Sequence, residues 1–297
     1  MPFLYKFSLG KEKGRASILG SSEVAAVKYH DIFDYPLNFS ELIKWTVGKK
    51  GGRLNLENLP EIEEKNGYYF LKGKKDSIYK RSLKERISER KLKIAQGAAA
   101  ILRRIPTIKL IAATGALAMK NVNEEADIDL LIVTQKGRLW LARIFSYLAL
   151  RITNYAVRKP NDRNGKDKLC LNIWLDERTL VWPENDRNIY TAHEIAQIVP
   201  LVNKDRTYER FLSENSWIMD YWPSAVKLPQ DTELRIMNYA NPLYIILNSL
   251  FSMVNRLAFK LQYLYMKPKI TREVVTLHKA IFHPRNWGKE INELLSA

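Results

Sequence analysis

Apolar residues recur at helical spacing twice near the N-terminus. Ser22 or Glu23 opens a first run carrying Val24, Ala25, Val27, Ile32 and Phe33, and Tyr35-Pro36 closes it because proline restricts the residue before it. Asn38 followed three positions on by Glu41 has the form of a capping box, and the helix behind it carries Phe39, Leu42, Ile43, Trp45 and Val47. Gly48, Gly51 and Gly52 interrupt that helix, and Leu54, Leu56 and Leu59 predict a short third one. Asn66-Gly67 then separates Ile62–Lys65 from Tyr68–Leu71, the residue pair that best accommodates the two positive φ angles of a tight hairpin.

Three helices and a hairpin over 22–75 outline a winged helix, preceded by an extension over 1–21. The expected recognition helix at Leu54–Leu59 is short, leucine and asparagine with Glu57 as its one charge, which favours a packing or protein-contact unit over a reader of bases.

Leu83, Ile87, Ile94, Ala98, Ile101 and Ile105 predict one long connecting helix over 76–106 with an apolar stripe. Charge changes the picture here. The 297-residue chain has a net charge of +16, and residues 72 to 104 hold twelve Lys or Arg against three acids, an excess of nine. Lys80, Arg81, Lys84, Arg86, Arg90, Lys91 and Lys93 are expected on the other faces of the helix. They form either a solvated surface or, as the excess favours, an anion-facing one that takes RNA or DNA through 76–104.

From 107 to 185 the pattern alternates strand and helix. Ile108–Ala113, Asp127–Val133 and Leu169–Leu175 read as strands, and Leu139–Val157 as an apolar helix crossing between the last two. From 186 to 297 the reading is a C-terminal helical domain, with Pro242–Met266 its clearest helix. The fold class expected is thus α+β or α/β, in several domains.

The uncharged stretch Ile236–Asn255 is long enough to span a bilayer, but its four asparagines and the Arg256 and Lys260 that follow argue for a buried or amphipathic helix; no integral span is expected, and peripheral membrane contact through 242–266 stays open. The N-terminus lacks a signal-peptide pattern, and a single cysteine, Cys170, excludes a disulfide framework, so the expectation is a cytoplasmic protein. His30, His193, His278 and His283 lack metal-ligand spacing. His193 reads as structural, although with Glu194 it could reach a cleft closed over by the C-terminal helices.

The chemistry concentrates in Thr114-Gly115-Ala116 and, after a spacer, Asp127-Ile128-Asp129. A glycine just after a strand lets the backbone approach a phosphate, and the following amides can cradle it. Carboxylates at i and i+2 of a strand point the same way and suit a hard divalent ion.

This combination resembles the nucleotidyltransferase superfamily related to DNA polymerase β, closely over 108–134 and loosely to Leu175. The whole chain also looks like a bacterial subgroup with an N-terminal winged helix, in which Tyr190–Ile195 and Tyr208–Leu212 have counterparts. The resemblance implies that Asp127 and Asp129 are catalytic and hold Mg²⁺ or Mn²⁺, and that Thr114, Gly115 and Ala116 contact the phosphates of an NTP substrate. A third carboxylate is implied on a later strand. Asn172 stands there, with Asp176 farther along as a substitute, and Ala116 occupies a usual serine or glycine position. Two functions follow: a metal-dependent nucleotidyltransferase, or a catalytically degenerate relative that binds nucleic acid or a protein.

Overall fold

The computed structural model describes residues 22–48, 59–159, 162, 164–229, 242–282 and 287–296. The expected extension 1–21, most of the helix expected at Leu54–Leu59, and His283 lie outside the described residues.

The N-terminal elements form as their local signals dictate. Helix α1 (Ser22–Asp31) ends before a turn whose Asp34 takes φ 52°. Strand β1 (Leu37–Asn38) leads into α2 (Phe39–Lys44), where Asn38 Oδ1 accepts from the Glu41 amide at 2.9 Å and Glu41 accepts from the Asn38 amide at 2.9 Å. Strands β2 (Ile62–Lys65) and β3 (Tyr68–Leu71) pair across Asn66 and Gly67, both at positive φ, and β1 completes a three-stranded sheet.

Helix α3 (Ser77–Leu102) is continuous, but its buried stripe differs from the one expected. Ser77, Arg81, Ser88, Lys91, Ala95, Ala98 and Leu102 face inward, whereas Leu83 is exposed. Arg81 lies between the rings of Tyr35 and Tyr68 and grips both oxygens of Glu41 at 2.6 and 2.8 Å. Lys91 is fully buried; its ammonium donates to the carbonyls of Glu124 and Ala126 and to Asp167. Part of the basic excess therefore binds the helix to the rest of the chain, since a buried cation persists only where acceptors surround it.

A six-stranded sheet forms the centre. Strands β4 (Ile108–Ala113), β5 (Ile128–Thr134) and β6 (Leu169–Asp176) are joined by α4 (Gly115–Ala118) and α5 (Leu139–Ile152). Helix α6 (Ile189–Gln197) leads to β7 (Val199–Asn203), then α7 (Thr207–Glu214), α8 (Pro242–Met266), β8 (Val274–Val275), β9 (Lys279–Ile281) and α9 (Trp287–Ser296). The strand order is β7-β4-β5-β6-β9-β8, with β5 and β6 parallel and the other pairs antiparallel. The chain is thus mixed α+β. The helical domain expected over 186–297 does not stand apart, because three of its segments become strands at the two edges of this sheet. Those strands are short and lie between clearer helical runs, so periodicity alone does not separate them.

Alternation along the strands buries both faces. Leu131, Val133, Ile173 and Leu175 face one core with Leu110 and Ala112, beneath α1, α6 and α9. Ile128, Leu130, Ile132 and Trp174 face the other, beneath α3, α5 and α8. Among the described residues no helix is long and apolar enough to cross a membrane.

Candidate active site

The site lies where β4 ends and β5 begins. The Thr114 amide donates to the Asp129 carbonyl at 3.1 Å, which fixes the turn beside the strand. Gly115 opens α4 at φ 57°, and a Cβ there would meet Asp129 Oδ2 at 3.4 Å. The positive φ favours glycine at this position, and the carboxylate lies at contact distance from it. Thr114 is buried and its hydroxyl does not cap α4, while Ala116 is exposed.

Asp127 and Asp129 project from the same side of β5, as the two-residue spacing predicts. Cys170 pairs with Asp129 across the parallel register, and ligand atoms of Asp127, Asp129 and Cys170 lie within 4.8 Å of one another. Burial, and next the Asp127 carboxylate, push Asp129 up to about 7. Burial also pushes the Cys170 thiol well up, so it stays protonated and is a poor ligand for a hard ion. Arg158, on the loop after α5, forms an ion pair with Asp127.

Asn172 reaches this cluster and Asp176 does not. The Asn172 amide donates to Asp129 Oδ1 at 2.6 Å, and its own Oδ1 is buried without a hydrogen-bond partner. A register shift between Asp129 and Leu131 inserts one extra residue into β6. A bulge of this kind reverses the facing of everything beyond it. Asp176 consequently pairs with Thr134 at the far end of the strand, fully buried against Arg178 at 2.7 Å and His278 at 2.9 Å. Its assignment as a metal ligand is therefore corrected: it anchors β6 to the segment before β9.

The acid that does approach comes from α6. Glu194 accepts from the Gly115 backbone amide and lies near Asp129; burial, and then the Asp129 charge, push its carboxyl up to about 8. Gln197, one turn on, donates to Glu194 at 2.5 Å and to the Gly115 carbonyl at 3.4 Å. His193 points elsewhere, buried among Tyr29, Trp45 and Trp222, as a structural residue. The Tyr190–Ile195 segment contained the signal for Glu194, while nothing local marks Arg158.

The arrangement can hold a cation between two carboxylates and offers a glycine turn beside them, with Glu194 already on the turn's first amide. A scan against protein-family models matched none, and a search of curated proteins found no match.

Proposed function

We propose that this chain is a Mg²⁺- or Mn²⁺-dependent nucleotidyltransferase that moves a nucleotidyl group from an NTP to an acceptor. The observation that carries the reading is the 3.4 Å approach between a Cβ position at Gly115 and Asp129 Oδ2, which sets a phosphate-type turn against the carboxylate pair. The donor set fits a hard divalent ion. Asp127 and Asp129 supply two carboxylates, and the orphaned Asn172 Oδ1 is a third oxygen in need of a partner.

Asp127 and Asp129 would hold the metal, and Thr114, Gly115 and Ala116 would line the phosphates. When bound, the ion neutralises phosphate charge and polarises the phosphorus under attack. Arg158, now paired with Asp127, would be free to meet phosphate oxygens once Asp127 held a metal. Glu194, bonded at Gly115, would have to release that amide for a phosphate to take it.

The N-terminal elements over 22–75 we read as winged-helix-like, supported by α1, α2 and the β2–β3 hairpin. The exposed Arg86, Lys93, Arg103 and Arg104 of and after α3 keep RNA or DNA as the acceptor class in view.

Calorimetry tests the reading: Mg²⁺-dependent NTP binding is expected in the full chain and lost in Asp127→Ala and Asp129→Ala. Binding unaffected by either change sinks the metal assignment. A second reading has its own support. Asn172 in place of an acid, and Glu194 seated where a phosphate would sit, fit a degenerate site that binds nucleic acid or protein without turnover. Incubation with labelled NTPs and cellular RNA separates the two, since this reading predicts salt-sensitive RNA binding and no label transfer.

A further inference from the structure

Helices α5 and α8 lie side by side, joined by a polar seam. Asn255 Oδ1 accepts from the amides of Trp140 and Leu141 at 2.9 and 3.2 Å, covering first-turn donors of α5 that helix geometry leaves unpaired. Gln262 donates to the Trp140 carbonyl at 3.0 Å and accepts from Arg143 at 2.6 Å. This seam fixes which side of α8 faces inward.

The opposite side is apolar and exposed among the described residues. Leu250, Val254, Leu257, Leu261 and Leu264 succeed one another in steps of four and three along α8, and Leu264 is 69% exposed. Phe145, Leu148 and Ile152 continue the surface on α5, with Ile152 70% exposed. Such a run of large side chains on two adjacent helices exceeds the scattered single exposures normal for a protein surface.

Charge selects the occupant. Residues 130–161 and 242–272 contain no Asp or Glu. Arg256 and Lys260, four apart, flank the apolar arc of α8; Arg151 adjoins Ile152, and Lys267 and Lys269 follow the last turn, all exposed. A second copy of this chain would bring two such cationic rims together with no carboxylate on either. An apolar face whose edges, among the described residues of α5 and α8, carry cations and no acid is instead matched by a layer that is apolar inside and negative at its surface.

We propose that the α5–α8 face docks on an anionic phospholipid bilayer. The apolar arc sits at the boundary of headgroups and acyl chains, the cations lie on lipid phosphates, and α8 rests in the plane of the membrane. Val157 bridges to Leu169 and Arg158 pairs with Asp127, so the end of α5 connects this face to the two-aspartate site. The docking rests on the face alone and does not require that site to turn over.

Vesicle flotation of the full chain tests it. Flotation is expected with phosphatidylcholine–phosphatidylglycerol vesicles and not with phosphatidylcholine alone, and added salt should release the protein. The paired change Leu257→Asp and Leu261→Asp should weaken binding about tenfold or more. Arg256→Gln with Lys260→Gln should weaken it about fivefold per cation removed. Thermal melts followed by circular dichroism confirm folding, and the glutamine pair serves should the aspartate pair unfold. The proposal is overturned if the folded chain ignores anionic vesicles or if neither pair changes flotation. It is equally overturned by a vesicle-free dimer that Leu257→Asp dissociates in a chain that does not float, which would assign the face to a second copy.

Discussion

The imidazoles of His30 and His193 meet at 3.2 Å between their Nε2 atoms, fully buried beside Tyr29, Trp45 and Trp222. His30 Nδ1 lies 2.8 Å from the Ala26 carbonyl and donates to it, so in the neutral ring its Nε2 is the acceptor and His193 the donor. The pair ties α1 to α6, and α6 is the helix that brings Glu194 to Gly115. Burial lowers His30 from 6.5 to about 4, and lowers His193 well below its usual value.

A histidine whose folded pKa is depressed contributes stability that is fully present above the unfolded value and is lost as pH falls toward the folded one. His30→Asn should therefore cost most at pH 8, about 1–3 kcal/mol for the disrupted buried hydrogen bond. Between pH 6.5 and 4 wild type should lose about 3 kcal/mol relative to the variant, at ~1.4 kcal/mol per pKa unit, so that the gap closes or reverses. Urea midpoints measured across that range check this, and a gap independent of pH would refute the neutral buried pair.

Glu194 has the opposite sign. A carboxyl raised from 4.5 to about 8 contributes stability that is present at low pH and lost as pH rises through the folded value. Glu194→Gln keeps an acceptor for the Gly115 amide but carries no charge. Relative to wild type, the variant should gain roughly 2 kcal/mol or more between pH 5 and pH 9, the scale of ionising a buried acid. The same urea series reads it, and a constant difference would mean that Glu194 is already ionised at pH 5.

How much of this site could be read from the sequence follows from how local each part is. Gly115 and Asp127-Ile128-Asp129 belong to one strand–turn–strand run, so spacing alone brings them together. Arg158 reaches Asp127 from 31 residues away and Glu194 arrives on a helix beyond β6, contacts that no periodicity encodes. Strand alternation would put Asp176 on the face of Asn172 only in an uninterrupted strand, and one bulged residue reverses its side. The hairpin at Asn66-Gly67 and the capping box at Asn38 were legible because their determinants lie within four residues. The stripe of α3 was not, because Lys91 and Arg81 become interior positions only through acceptors that distant segments supply.

Arg158 and Asp127 make a partly exposed pair, with 42% and 16% of their side chains accessible. Such pairs contribute at most ~1 kcal/mol to folding. Arg158→Gln should leave stability within that limit while removing the cation that competes with a metal for Asp127. Titration with Mg²⁺ alone is expected to show several-fold tighter binding to this variant than to wild type. If affinity is unchanged or falls, Asp127 is not a ligand released from Arg158.

The basic helix supplies a sharper contrast, because two of its lysines do opposite things. Lys91 is fully buried, with its ammonium 2.9 and 2.7 Å from the Glu124 and Ala126 carbonyls and 2.8 Å from Asp167. Asp167 also holds Arg90 at 2.7 Å, so removing Lys91 leaves that acid one partner but strands the two carbonyls. Lys91→Ala should cost about 3–5 kcal/mol, since it vacates the buried stem's volume and leaves the two carbonyls unpaired. Lys91→Met should cost less, because a stem of similar length fills the space. Lys93 is exposed two residues away, and Lys93→Ala should change stability by no more than about 0.5 kcal/mol. If that variant instead weakens RNA binding in a salt-dependent way while Lys91→Met does not, the helix divides its charge between an inner structural row and an outer one open to phosphate. Equal stability losses for Lys91→Ala and Lys93→Ala would remove the distinction.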